Sequence, residues 1–177
     1  MNEELNYKQK LIPFILSVVI IIADQITKAL VVNRIPVYGI GASYGKGDFL
    51  RIIHVQNKAV AFSLGHALPD QMRLILFIAI PVLIIIGMFV YVLKTQEFTL
   101  FQRWAIASIM GGGVGNLIDR IFRVDGVVDF IDVRFYGIFG LERWPTFNVA
   151  DSGIVVGGIL LILSLFVMIR REHEQKS

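Results

Sequence analysis

Four stretches of the chain, at about 11–32, 72–93, 104–121 and 147–169, are apolar over close to the length a helix needs to cross a bilayer. That pattern leaves little choice of fold. In lipid every backbone N–H and C=O has to be satisfied within the protein, which only helices and closed barrels achieve. With 55% apolar side chains in 177 residues and a mean hydropathy of +0.69, the composition agrees with an integral membrane protein. An all-α polytopic protein is expected, with four transmembrane helices in one membrane-embedded domain covering residues 1–177. The third stretch is the shortest, glycine-rich and polar at its end, and topology serves as its check. An even number of spans puts both termini on one side, where Lys8, Lys10, Lys94, Arg103, Arg170 and Arg171 all flank the spans. By the positive-inside rule that side is cytoplasmic. Arginines also occur in the opposite loops, so the bias is one of density.

What the chain lacks narrows its chemistry. Cysteine is absent, which excludes disulfides, thiol nucleophiles and cysteine-ligated metals. A formal charge of +3, spread over connecting segments, offers no nucleic-acid surface. The first apolar stretch, behind Lys8 and Lys10, has the look of a secretory signal peptide. However, Asp24 and Lys28 interrupt the place of a cleavage site and apolar character resumes at 29–32, so a retained helix is expected.

The connection between the first two spans, about 35–66, is too long for a simple link. Residues 38–47 read as loop from their glycines, while 49–55 and 59–64 are rich in β-branched and aromatic residues, with a turn between them at Gln56-Asn57-Lys58. A small extracytoplasmic β-sheet is expected there, and a loop at about 122–146. Pro81 should kink the second span. Ala107, Gly111 and Gly115, and Gly153 and Gly157, recur at four-residue spacing, which lets helix backbones approach closely in a bilayer. Packing is the expected role of these glycines.

The polar residues that are costly in lipid gather at one face. Asp24 and Lys28 fall in the outer half of the first span, Asn116, Asp119 and Arg120 at the outer end of the third, and Asn148, Asp151 and Ser152 at the start of the fourth. Asn57, Asp129 and Asp132 lie in the outer connections. Asp24 with Lys28, and Asn116 with Arg120, stand four residues apart on one helix face, and Asn148 shares a face with Asp151 and Ser152. For Asp24 and Lys28 a structural ion pair competes with a substrate-positioning role. Asp119 and Arg120 are expected to hold loops and helix ends in place. Asp129 and Asp151, two acids able to meet at one membrane face, suggest acid–base chemistry.

Other schemes fit less well. His54, His66 and His173 show no zinc-ligand spacing, and Asp125, Asp129 and Asp132 lack the phosphate-cradling features a Mg²⁺ site would need. A Ser–Lys dyad from Ser63 or Ser152 with Lys28 or Lys58 is conceivable, but Ser152 more simply serves the helix end. An ion or proton transporter or channel subunit, with Asp24, Lys28, Asp119 and Arg120 along its path, is the reading from a different class. It calls for polar groups at several depths, and the inner halves of the first, second and fourth spans carry almost none.

Five ordered motifs carry a resemblance over the whole length: Asp24-Gln25-Ile26-Thr27-Lys28, Asn57-Lys58-Ala59-Val60-Ala61-Phe62, the run from Gly112 to Arg120, Val127-Val128-Asp129-Phe130, and Phe147-Asn148-Val149-Ala150-Asp151. In these the chain resembles the lipoprotein signal peptidase family, the bacterial signal peptidase II intramembrane aspartic peptidases. The resemblance implies that Asp129 and Asp151 are the catalytic pair and that Asp24, Lys28, Asn57, Asn116, Asp119, Arg120 and Asn148 line or brace the site. It implies a lipid-modified prolipoprotein as substrate, cut just before a diacylglyceryl cysteine, with membrane lipid as the other partner. It further implies no metal or organic cofactor, a monomer, and a bacterial cytoplasmic membrane location with the site facing outward. One departure is Ala59, where the family usually has glycine. In such a pair two close carboxyls share a proton, one activating water while the other hydrogen-bonds the scissile carbonyl. Which carboxyl takes which part is open at this level, and the roles can exchange during a cycle.

Overall fold

The computed structural model describes residues 5–57 and 69–176. A short helix α1 (Tyr7–Leu11) opens with an Asn6/Gln9 capping box and breaks at Pro13, after which α2 (Phe14–Arg34) runs on. Helix α3 (Asp70–Leu74) passes through a π-helical turn, Ile75–Ala79, into α4 (Ile80–Lys94). Helix α5 (Leu100–Phe122) starts at a Thr99/Gln102 capping box, and α6 (Val149–Lys176) closes the chain. The irregularity expected at Pro81 takes the form of the π turn just before it: proline brings no N–H to bond a carbonyl one turn back, and the wider turn absorbs the mismatch.

Three helical stretches are long and apolar enough to cross a membrane: Tyr7–Arg34, Ile75–Lys94 and Val149–Arg170. They turn most of their side chains outward. Helix α5 has the opposite character, with Arg103, Ala105, Ala107 and Asp119 at most 2% exposed. It is the axis on which α2 and α6 pack, and its glycines set the distances. A methyl group on Gly112 would sit 2.2 Å from the Ala150 carbonyl oxygen, and one on Gly111 2.7 Å from the Ser17 backbone. Helix α4 stands further off, touching α5 mainly near the C-terminal end of α4 through Val92, Ile106 and Met110.

The sheet departs from the expected layout. It is three-stranded and antiparallel in the order β1 (Ile40–Tyr44), β2 (Leu50–Asn57), β3 (Val127–Val133). Strand β1 lies in the glycine-containing stretch read as loop, and β3 comes from the segment read as a loop between the last two spans. Strand β2 includes Gln56 and ends at Asn57, inside the expected turn, while the rest of that turn and the strand expected at 59–64 lie outside the described residues, as do Lys58, Ala59, Ser63 and His66. The inner face of the sheet seals onto the end of α2, where Val31 and Ile35 pack with Val128 and Phe130.

Candidate active site

Four elements converge at one end of the bundle: the last turns of α2 and α5, strand β3, and the start of α6. Backbone bonds set the last two side by side. Phe130 and Ile131 both donate to the Phe147 carbonyl, at 3.1 and 2.8 Å, and Phe147 returns a bond to Ile131 at 3.1 Å. Asp129 and Asn148 are thereby held adjacent. Helix α6 then opens with reciprocal caps: Asp151 N–H donates to Asn148 Oδ1 at 2.9 Å and Asn148 N–H to Asp151 Oδ2 at 3.1 Å.

Two side-chain amides link the acids. Asn148 Nδ2 donates to Asp129 Oδ1 at 2.8 Å and to Asn116 Oδ1 at 3.1 Å, while Asn116 Nδ2 donates to Asp151 Oδ1 at 2.7 Å. Asn57 reaches diagonally across the β2–β3 ladder and donates to Asp129 Oδ2 at 3.0 Å. Asp129 is only 3% exposed. Burial, reinforced by the negative charge of Asp151 and opposed by the Asn57 and Asn148 amides, pushes its carboxyl up to about 6.

Beneath this pair lies a fully buried ion cluster. Lys28 Nζ sits 2.8 Å from Asp24, 2.9 Å from Asp119 and 3.1 Å from Asn116 Oδ1, so its three protons meet three acceptors. Asp24 also accepts from the Ala150 N–H in the first turn of α6 at 2.9 Å, and Asp119 from the Val128 N–H of β3 at 3.1 Å. Gln25 donates to Asp24, Asp119 and the Gly115 carbonyl at 3.1–3.2 Å. The cluster thus joins all the elements that carry the acids. Breaking such a buried pair by removing one partner costs about 3–5 kcal/mol.

Asp129 and Asp151 both border a cleft of about 530 Å³ between α4 and the α5–α6 pair. Its polar end has Asn57, Asn116, Arg120 and Thr146, and its apolar walls are Pro81, Ile84, Ile85, Met88, Ile109 and Ile154. Arg120 senses the charge of both acids and stacks over Phe77 at 5.9 Å. Among the described residues nothing accepts a hydrogen bond from its guanidinium. The structure therefore brings Asn57, Asn116, Asn148 and Arg120 to the two acids, and places Asp24, Lys28 and Asp119 one layer below. Asp119 engages Lys28 and, at 2.9 Å, Arg123, with Arg120 turned to the cleft instead.

Residue reading missed Gln25, whose only sequence signal was its place beside Asp24 in a span. It also missed the α4 wall, whose residues look like ordinary lipid-facing ones. Of the competing schemes, the parts that call on Lys58, Ser63 or His66 lie outside the described residues. Among the described residues no group of histidines and acids could hold a metal ion, and Asp132 is taken up by Arg51 and Arg143, both at 2.6 Å. Ser152 donates to the Asn148 carbonyl at 2.9 Å, and His54 is buried against the Ile35 carbonyl at 2.8 Å.

Comparison with known proteins decides between the remaining readings. The family model for signal peptidase (SPase) II matches residues 16–167. The chain belongs to the signal peptidase II family. It is 48% identical over 171 residues to a lipoprotein signal peptidase of Treponema denticola, covering 97% of this chain and 98% of the relative. It is 44% identical over 170 residues to that of Treponema pallidum, covering 96% and 89%. A solved bacterial membrane enzyme, determined by the in meso method, superposes with a TM-score of 0.72 at 30% identity, covering 87% of each chain. The chain is a membrane peptidase, and the transporter reading finds no support.

Proposed function

We propose that the chain removes prolipoprotein signal peptides as an aspartic endopeptidase, with Asp129 and Asp151 acting together on one water. The observation that carries this reading is that the two acids, from different elements, border one cleft and are tied through Asn148 and Asn116. One carboxylate takes a proton from water while the other, neutral carboxyl hydrogen-bonds the scissile carbonyl, so that the gem-diol forms without a full charge on oxygen. Arg120, with donors open to the cleft, and Asn57 orient the peptide, and Asp24, Lys28, Asn116, Asp119 and Asn148 brace the acids.

The bond cut lies on the amino side of a diacylglyceryl-modified cysteine. The apolar walls of the cleft favour this, since each CH₂ buried contributes about 0.8 kcal/mol and little peptide sequence then needs to be read. Helix α5 is the fourth crossing: at 23 residues it spans about 34 Å, and its polar face is covered by α2 and α6. Both termini are then cytoplasmic, and sheet and cleft lie at the outer face of the bacterial cytoplasmic membrane. The enzyme acts as a monomer with no cofactor.

The test is mass spectrometry after incubating the purified chain in lipid with a prolipoprotein, with and without its diacylglyceryl group. A product starting at the modified cysteine, formed much faster from the lipidated form, is expected. No cleavage of the lipidated form removes the reading.

A further inference from the structure

The hydrogen-bond directions around the two acids can be assigned, because each bridging amide meets a group that can only donate. The Lys28 ammonium has no lone pair, so the Asn116 atom 3.1 Å from it must be the oxygen. The Asn116 NH₂ then has to point at Asp151 Oδ1, 2.7 Å away. The Asp151 backbone N–H likewise forces the Asn148 oxygen toward itself at 2.9 Å, and the Asn148 N–H of the backbone meets Asp151 Oδ2 at 3.1 Å. Both oxygens of Asp151 are therefore acceptors, and both donors are oriented by groups that cannot turn round. Asp151 also stands in the first turn of a 28-residue helix, whose positive end favours negative charge. Asp129 also accepts at both oxygens, from the Asn148 and Asn57 side-chain amides, but it receives no backbone N–H among the described residues and has no helix end; it lies on β3 between the buried Val128 and Phe130.

Resting on the aspartic peptidase reading above, we propose that Asp151 is the standing base of the pair and Asp129 its standing acid. Lys28 is the positioning residue that keeps the Asn116 amide the right way round. Burial raising the Asp129 carboxyl to about 6 agrees with its keeping the proton. The other charged groups near the pair do not reverse the order. Lys28 is matched by Asp24 and Asp119, Asp119 also holds Arg123, Arg120 faces both acids, and His54 on β2 is occupied by the Ile35 carbonyl.

The proton inventory closes over one turnover. Water oxygen attacks the carbonyl carbon as one of its protons passes to Asp151, and the Asp129 proton goes to the carbonyl oxygen, giving the gem-diol. On collapse one hydroxyl proton returns to Asp129, the C–N bond breaks, and the Asp151 proton goes to the leaving nitrogen. The pair ends as it began.

Infrared titration of the purified protein in lipid tests the assignment without turnover, so it stands apart from failure of the peptidase reading, which the cleavage assay detects. A carboxylic-acid C=O band titrating near pH 6 is expected in the wild type. It should be absent around that pH from Asp129→Asn, and persist in Asp151→Asn with a lower midpoint, because the neighbouring charge is gone. Loss of the band in Asp151→Asn with its retention in Asp129→Asn overturns the assignment. For the positioning role, Lys28→Met should lower kcat about tenfold or more at unchanged KM. Asn116→Leu, which leaves the Lys28 ion pairs in place, should do the same if the first variant does not fold. A raised KM with kcat intact in the folded variant overturns the role of Lys28.

Discussion

The two ends of the helix bundle both bury charge, but they neutralise it differently. At the end away from the cleft Lys10 and Arg103, at most 5% exposed, donate to backbone carbonyls around the end of α4: Lys10 to Leu93, and Arg103 to Val92, Thr95 and Phe98. These cations finish a helix and join it to its neighbours, leaving no group over for chemistry. At the other end Lys28 and Arg123 neutralise Asp24 and Asp119, and above them two further carboxyls face a cleft with amides for partners. Burial of charge alone is therefore no sign of a site. An acid that borders a cleft, supported only by neutral donors, is one.

The largest expected effect probes the acids as a unit. Asp129→Asn and Asp151→Asn should each slow cleavage by about 10³-fold or more, and the double variant should be no slower than either single one. Additive losses in a rate assay would mean that the two act independently.

Next in size is the contrast between buried cations. Lys28→Met should cost about 3–5 kcal/mol in a thermal or denaturant melt, and folded enzyme should also lose turnover. Arg103→Met should cost about 1–3 kcal/mol for each carbonyl left without a donor, with turnover per folded molecule unchanged. Equal losses of turnover in both would erase the difference between the ends.

The pH dependence of stability sharpens the picture of the site. Asp129 titrates near 3.8 when unfolded and near 6 when folded, so the folded state holds more protons between those values. Stability contributed by its neutral form is full below about 4 and is lost as pH rises through about 6, amounting to roughly 3 kcal/mol. Melts across that range should show this slope in the wild type and a flatter one in Asp129→Asn. Equal slopes would show that Asp129 does not titrate there.

The smallest effect tests packing. Gly112→Ala should cost about 1–3 kcal/mol, because the added methyl meets the Ala150 carbonyl, whereas Gly158→Ala, where nothing lies within 4 Å, should be neutral or better.

Much of this was legible before any coordinates. The long apolar runs are a signal that does not depend on neighbours, and acids in or beside spans are costly enough to stand out. The parts that escaped depend on distant contacts. Strand β3 is short and interrupted by Asp129 and Asp132, so it reads as loop until β2 pairs with it. Strand β1 is hidden by Gly39 and Gly41, which pass under Pro36 and Ile35 where a side chain would collide. The role of Gln25 and the amide directions of Asn116 and Asn148 exist only once α2, α5 and α6 meet.

The most direct measurement is single-turnover cleavage of a lipid-modified prolipoprotein by the wild type, Asp129→Asn and Asp151→Asn, each shown to be folded by its melting transition. The account predicts a product beginning at the modified cysteine from the wild type and essentially none from either variant. Cleavage at the wild-type rate by either folded variant would contradict it.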